Sequence, residues 1–160
     1  MVSIPPNRTG TVVIDANVMI AICAKEATKE TNARTALAHY ASLDFAFYAP
    51  GVAIAETLYI LCQQQQAGLL SVTEHAQAVQ DFDAFMTQVL PAPNGDATLI
   101  AHAERFRIGY GCSRSADGLY LALAEQLAQA VSTTLLTFDV ALRSQAALTA
   151  PTVTVHLLTF

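Results

Sequence analysis

Four carboxylates stand where they could share one chemistry. Asp15 directly follows the apolar run Thr11-Val12-Val13-Ile14, and Glu56 lies early in the helical stretch that begins after Pro50-Gly51. Asp117 opens a second helical segment, and Asp139 closes the run Thr134-Leu135-Leu136-Thr137-Phe138. Oxygen-only ligands favour hard divalent cations, Mg²⁺ or Mn²⁺, over zinc, and such ions keep waters and bind phosphate oxygens. The chemistry implied is metal-assisted phosphodiester hydrolysis, with an activated water as nucleophile and one or two ions at the site. No side-chain nucleophile is required.

Each acid also has an ordinary structural use. Asp15, or Asn17 beside it, could cap the next helix, and Asp139 could cap the segment Val140 to Ala147. Asp117 in a first helical turn is favoured by the positive end of the helix dipole. Glu56 could face solvent or an arginine from elsewhere in the chain. Its segment, Val52 to Cys62, is apolar nearly all the way round and reads as a largely buried helix. No Lys or Arg occurs between Arg34 and Arg105 to neutralise it locally, and an unpaired buried carboxylate is costly.

The elements that must position these acids alternate. Thr11 to Ile14, Asp44 to Ala49, Thr134 to Thr137 and Val153 to Leu158 read as strands, being short and rich in β-branched or aromatic residues. Val89-Leu90, before Pro91 and Pro93, reads either as a fifth strand or as the end of the preceding helix. Ser71-Val72-Thr73-Glu74 has the form of a capping box, followed at helical spacing by Val72, Ala76, Val79, Phe82 and Met86. Ala116 to Ala130 carries Leu119, Leu123 and Leu127 on one stripe and reads as an amphipathic helix packed on the sheet. Strands alternating with helices give a parallel sheet with right-handed crossovers and helices on both faces. Ligand sites then lie beyond the carboxyl ends of the strands, where all four acids are expected.

Bulk properties agree with one α/β domain over residues 1–160. The chain is 53% apolar and 13% charged over 160 residues, which argues for a compact core and leaves room for an apolar subunit interface. The run Val12 to Ala24 is broken by Asp15 and reads poorly as a signal or membrane segment, so a cytoplasmic protein is expected. Cys23, Cys62 and Cys112 have no metal-ligand spacing and read as small core residues. His39, His75, His102 and His156 are equally scattered and are assigned no chemistry. The formal charge of −5, with eight Lys and Arg residues, opposes tight nonspecific nucleic-acid binding. Two bound divalent cations would offset most of that excess and turn the acidic rim toward phosphate.

Together these segments resemble the PIN-domain family, in particular the VapC-type toxins of bacterial toxin-antitoxin pairs. Val12-Val13-Ile14-Asp15-Ala16-Asn17 resembles the family's first acidic motif, and Pro50-Gly51-Val52-Ala53-Ile54-Ala55-Glu56 the second. Ala116-Asp117-Gly118-Leu119-Tyr120-Leu121-Ala122-Leu123-Ala124 is similar to the third, and Leu135-Leu136-Thr137-Phe138-Asp139 to the fourth. The resemblance implies a three-layer α/β/α sandwich around a five-stranded parallel sheet, Mg²⁺ or Mn²⁺ dependence and ribonuclease activity. It also implies homodimerisation and, often, an antitoxin that covers the site. Asp15, Glu56, Asp117 and Asp139 become metal-binding catalytic residues, with Asn17 and Thr137 as supporting polar groups. Gly118 departs from the Ala common beside the third acid. Arg105, Arg107 and Arg114 are candidate RNA contacts, with Lys25, Lys29 and Arg143 near other motifs.

Two other readings remain. A phosphatase using Asp15 as covalent nucleophile would want a second acid where Asn17 stands, or a lysine after a late strand, and the chain offers neither. A catalytically silent binding module of the same fold would suit the acidic charge.

Overall fold

The computed structural model describes residues 4–112 and 116–160. Strand β1 (Gly10–Ile14) is buried at every residue, as a strand covered on both faces must be. It lies at the centre of a five-stranded sheet in the order β3-β2-β1-β4-β5, where β2 is Phe45–Tyr48, β3 Val89–Leu90, β4 Thr133–Thr137 and β5 Thr154–Leu157. Every pairing is parallel. Val89-Leu90, open from the sequence between strand and helix end, is a strand that pairs with Phe47 and Tyr48.

Helices α1 (Ala16–Cys23), α2 (Ala27–Ser42), α3 (Val52–Gln66) and α4 (Val72–Met86) connect β1 to β2 and β2 to β3. A 3₁₀ turn (Asp96–Leu99), α5 (Ile100–Gly109) and α6 (Asp117–Ala128) carry the chain back across to β4, and α7 (Val140–Thr149) leads to β5. The strand order reverses direction at β1. Right-handed crossovers therefore put α1 to α4 on one face and α5 to α7 on the other. The packing follows that division: α1 touches α2, α3 and α4, while α5 touches α6 and α7. The architecture is the expected α/β/α sandwich, and the reversal point brings the ends of β1 and β4 side by side.

The capping box at α4 forms in full, with Ser71 Oγ accepting from the Glu74 N–H at 3.1 Å and Glu74 accepting from the Ser71 N–H at 2.7 Å. Its apolar stripe is shifted from the expected one. Ala78 and Phe82 are buried, whereas Val72 stands in solvent beside the cap.

Two expectations are corrected. Helix α3 is not largely buried: it sinks Ala53, Thr57 and Leu61 and leaves Ile54, Leu58 and Tyr59 exposed at 44%, 39% and 61%. An all-round apolar composition sets no direction, and only one side of α3 meets α1 and α4. Of the cysteines, Cys23 is a core residue, while Cys62 and Cys112 are exposed. Cys62 follows the buried Leu61 and is turned off the packed side of α3.

Helix α6 is more enclosed than a single apolar stripe implies. Gly118, Tyr120, Leu121, Ala122, Leu123, Ala124 and Leu127 are all buried because α6 packs both on β1 and β4 and under α5. Gly118 marks the closest approach, since a Cβ there would stand 2.7 Å from the Ala103 carbonyl oxygen. The departure from Ala at this position thus has a steric reason: α5 occupies the space.

Candidate active site

Asp15 sits one residue past the end of β1, and its N–H donates to the Leu136 carbonyl at 3.0 Å, so the β1–β4 ladder itself fixes its backbone. The side chain is buried. Thr137 Oγ1, at the last position of β4, donates to Asp15 Oδ2 at 2.6 Å, and Asn17 Nδ2 donates to the same oxygen at 2.9 Å. Burial pushes the Asp15 carboxyl up from 3.8 to about 7; the Thr137 hydrogen bond opposes this, and the charges of Asp117 and Glu56 add to it. The alternative use of Asp15 as a side-chain cap is not realised, although it occupies the N-cap position of α1.

Asn17 links the two strand ends. Its Nδ2 also lies 3.2 Å from Thr137 Oγ1, and its Oδ1 accepts from the Phe138 N–H at 3.2 Å. Thr137 Oγ1 in turn accepts from the Asp139 N–H at 2.9 Å. Asp15, Asn17, Thr137 and the Asp139 backbone therefore form one hydrogen-bonded unit spanning β1 and β4.

Glu56 enters from the second turn of α3 and is half-buried. That helix start is pinned by Asp96, whose Oδ2 accepts from the Gly51 N–H at 2.7 Å. Burial raises the Glu56 pKa; a hydrogen bond from the Tyr120 hydroxyl lowers it, and the charge of Asp117 raises it. Asp117, at the first position of α6, thus acts electrostatically on both Asp15 and Glu56. Three elements deliver three carboxylates to one rim. Among the described residues no three acidic, imidazole or thiol groups stand together as a ready-made ligand set, and like charges do not close on one another unaided.

Asp139 is at the same rim by its backbone, but its carboxylate caps α7, with Oδ1 accepting from the Ala141 N–H at 2.7 Å. The capping use foreseen for it is realised.

The candidate RNA contacts are dispersed. Arg105 pairs with Glu125 at 2.6 Å, where His102 also approaches at 3.4 Å. Arg107 lies 3.9 Å from Glu104 on the same helix, and Arg114 lies outside the described residues. Lys25 is exposed and lines a cleft with Glu74, while Arg143 is exposed on α7. Lys29 is nearer the acidic rim: its Nζ stands 5.8 Å from the ring centre of Phe138, the residue between Thr137 and Asp139, and 3.6 Å from Glu26.

Sequence reasoning gave Tyr120 no part. Its hydroxyl donates to Glu56 Oε1 at 3.1 Å. The available signal was its position three residues after Asp117, which puts both on one side of a helix.

A buried carboxylate with partly buried ones beside it, at the topological switch point of an α/β/α sandwich, places the chain among the α/β folds whose ligand sites lie beyond the strand ends. Within that class the PIN domain family matches residues 12–148, and the chain belongs to it. No curated protein sequence matches the chain. Solved structures do. VapBC2 from Rickettsia felis, bound to a DNA fragment from their promoter, matches with a TM-score of 0.63 at 12% identity, covering 93% of this chain and 99% of that one. FitAB bound to an IR36 DNA fragment matches with a TM-score of 0.56 at 19% identity, over 91% of this chain and 94% of that one. FitAcB from Neisseria gonorrhoeae gives the same score and identity over 90% and 95%. At these identities the likeness concerns the fold.

Proposed function

We propose that this PIN-domain protein is an Mg²⁺- or Mn²⁺-dependent endoribonuclease and the toxin of a toxin-antitoxin pair. The observation that carries the reading is Asp15: a buried carboxylate with both its side-chain hydrogen bonds on Oδ2, beside two further acids that raise its pKa. Such a group is costly as an anion unless a cation compensates it. The donor set fits the cation, because it is all oxygen and anionic.

In this reading Asp15, Glu56 and Asp117 hold one or two ions, with Asp139 at the rim available to a second. A bound divalent cation would supply the lowered pKa that water needs to attack a phosphodiester at neutral pH, and would neutralise charge on the phosphate. The chain's own contribution is to hold the ligands still. Thr137 and Asn17 fix the rotamer of Asp15, and Asp139, by capping α7 and donating its N–H to Thr137, holds the Thr137 hydroxyl where it meets Asp15. Lys29, beside Phe138, would meet an RNA phosphate near the rim by leaving Glu26, as Arg105 would by leaving Glu125.

The exposed Ile54, Leu58 and Tyr59 on α3 support a homodimer or antitoxin interface close to Glu56. No helix among the described residues is long and apolar enough to cross a membrane.

The test is incubation of a structured RNA pool with purified protein in Mg²⁺, Mn²⁺ or EDTA, beside a folded Asp15→Asn/Asp117→Asn variant. Cutting that requires metal and disappears in the variant supports the reading. A folded wild-type protein that cuts nothing under any of these conditions, and gains no thermal stability from either metal, overturns it in favour of a binding module.

A further inference from the structure

The Tyr120 side chain joins two of the segments that carry the acids, α6 and α3. It belongs to α6, three residues after Asp117, and is 1% exposed. Its hydroxyl donates to Glu56 Oε1 on α3 at 3.1 Å. The phenol oxygen thus spends its one proton on Glu56. A phenol is a donor throughout the neutral range, so the bond sets one direction and does not alternate.

We propose that Tyr120 is the positioning residue for Glu56, holding Oε1 so that the carboxylate meets a divalent cation already oriented with respect to Asp15 and Asp117. This rests on the metal-site reading given above. Glu56 needs such a partner more than the other acids do. It stands on a long side chain in a half-buried place, and freezing that chain at the moment of binding would cost rotamer entropy. The Tyr120 ring has no such freedom, being buried in the core. A group of this kind acts through the ligand it orients, and its loss weakens metal binding on the order of 10- to 100-fold.

The experiment is a Mn²⁺ titration followed by electron paramagnetic resonance of the free ion, on wild type, Tyr120→Phe, Glu56→Gln and the double variant. Phe keeps the ring and removes only the oxygen. The expected result is a half-saturating Mn²⁺ concentration about 10- to 100-fold higher in Tyr120→Phe, with no further increase when the same change is made in Glu56→Gln. Equal Mn²⁺ affinity in wild type and Tyr120→Phe overturns the inference and leaves the metal site standing. An equal loss in both backgrounds also overturns it, because Tyr120 would then act on the fold and not through Glu56. A wild-type protein that binds no Mn²⁺ overturns the metal-site reading and this inference with it. Should Tyr120→Phe not fold, 3-fluorotyrosine placed at position 120 decides by ¹⁹F resonance. A line that moves on Mg²⁺ addition, and does not in Glu56→Gln, supports the role; a line that ignores Mg²⁺ overturns it.

Discussion

The Thr137 hydroxyl donates a 2.6 Å hydrogen bond to Asp15 Oδ2 and accepts the Asp139 N–H at 2.9 Å. The last side chain of β4 is therefore what orients the carboxylate at the end of β1. Replacing Thr137 with Val keeps the shape and removes both bonds, which lets Asp15 rotate and pushes its pKa further up. Metal affinity should fall on the order of 10- to 100-fold, as for other groups that orient a ligand, and Thr137→Ser should restore most of it. Thermal shift against Mg²⁺ concentration reads both, and an unchanged midpoint in Thr137→Val would remove Thr137 from the site.

Burial lifts the Asp15 carboxyl from 3.8 to about 7. Between those values the folded chain keeps a proton that the unfolded chain has released. Its contribution to stability is accordingly greatest at low pH and declines as pH rises toward about 7, at up to about 1.4 kcal/mol per pH unit. Glu56, whose pKa burial also raises, adds in the same direction. In EDTA, Asp15→Asn should flatten the fall in melting temperature seen between pH 5 and pH 7.5. Mg²⁺ should stabilise wild type more at pH 7.5 than at pH 5. Parallel pH curves for wild type and variant would show that Asp15 does not titrate in this window.

Gly118 separates two opposing effects. Alanine would gain about 1 kcal/mol of helix propensity, but its Cβ would stand 2.7 Å from the Ala103 carbonyl oxygen. Backbone meets backbone there, so α5 and α6 must move apart, and overpacking of this kind costs about 1–3 kcal/mol. Gly118→Ala should lower the urea midpoint. A higher midpoint would mean that the α5–α6 contact yields more easily than the packing implies.

Much of the fold was legible because parallel strands and their crossovers leave strong local marks. Val12, Val13 and Ile14 mark a strand buried on both faces, and the Ser71 and Glu74 box marks a helix start. Helix α3 was misread because composition gives no direction: Ile54, Leu58 and Tyr59 face outward only because of where α1 and α4 lie. The weak strand Val89–Leu90 was undecided because its evidence is its partner, β2. Of the candidate site, the four acids are legible as candidates from their places after strands or near helix starts. The cap that Asp139 gives α7 is local and was legible as well, whereas Tyr120 reaches Glu56 across 64 positions of the chain. The place of Tyr120 three residues after Asp117 puts both on one side of α6 but does not name Glu56 as the partner.

In the proposed mechanism the acids at the ends of β1 and β4, with those of α3 and α6, hold a hard cation against the phosphate that is cut. Cleavage of an RNA whose scissile phosphate carries one sulfur in place of a non-bridging oxygen tests this most directly, because sulfur is a poor ligand for Mg²⁺ and a better one for Mn²⁺. One of the two sulfur isomers should be cut slowly in Mg²⁺, with Mn²⁺ restoring its rate. Cleavage of both isomers at the rate of unmodified RNA in Mg²⁺, or cleavage that persists in EDTA, would contradict it.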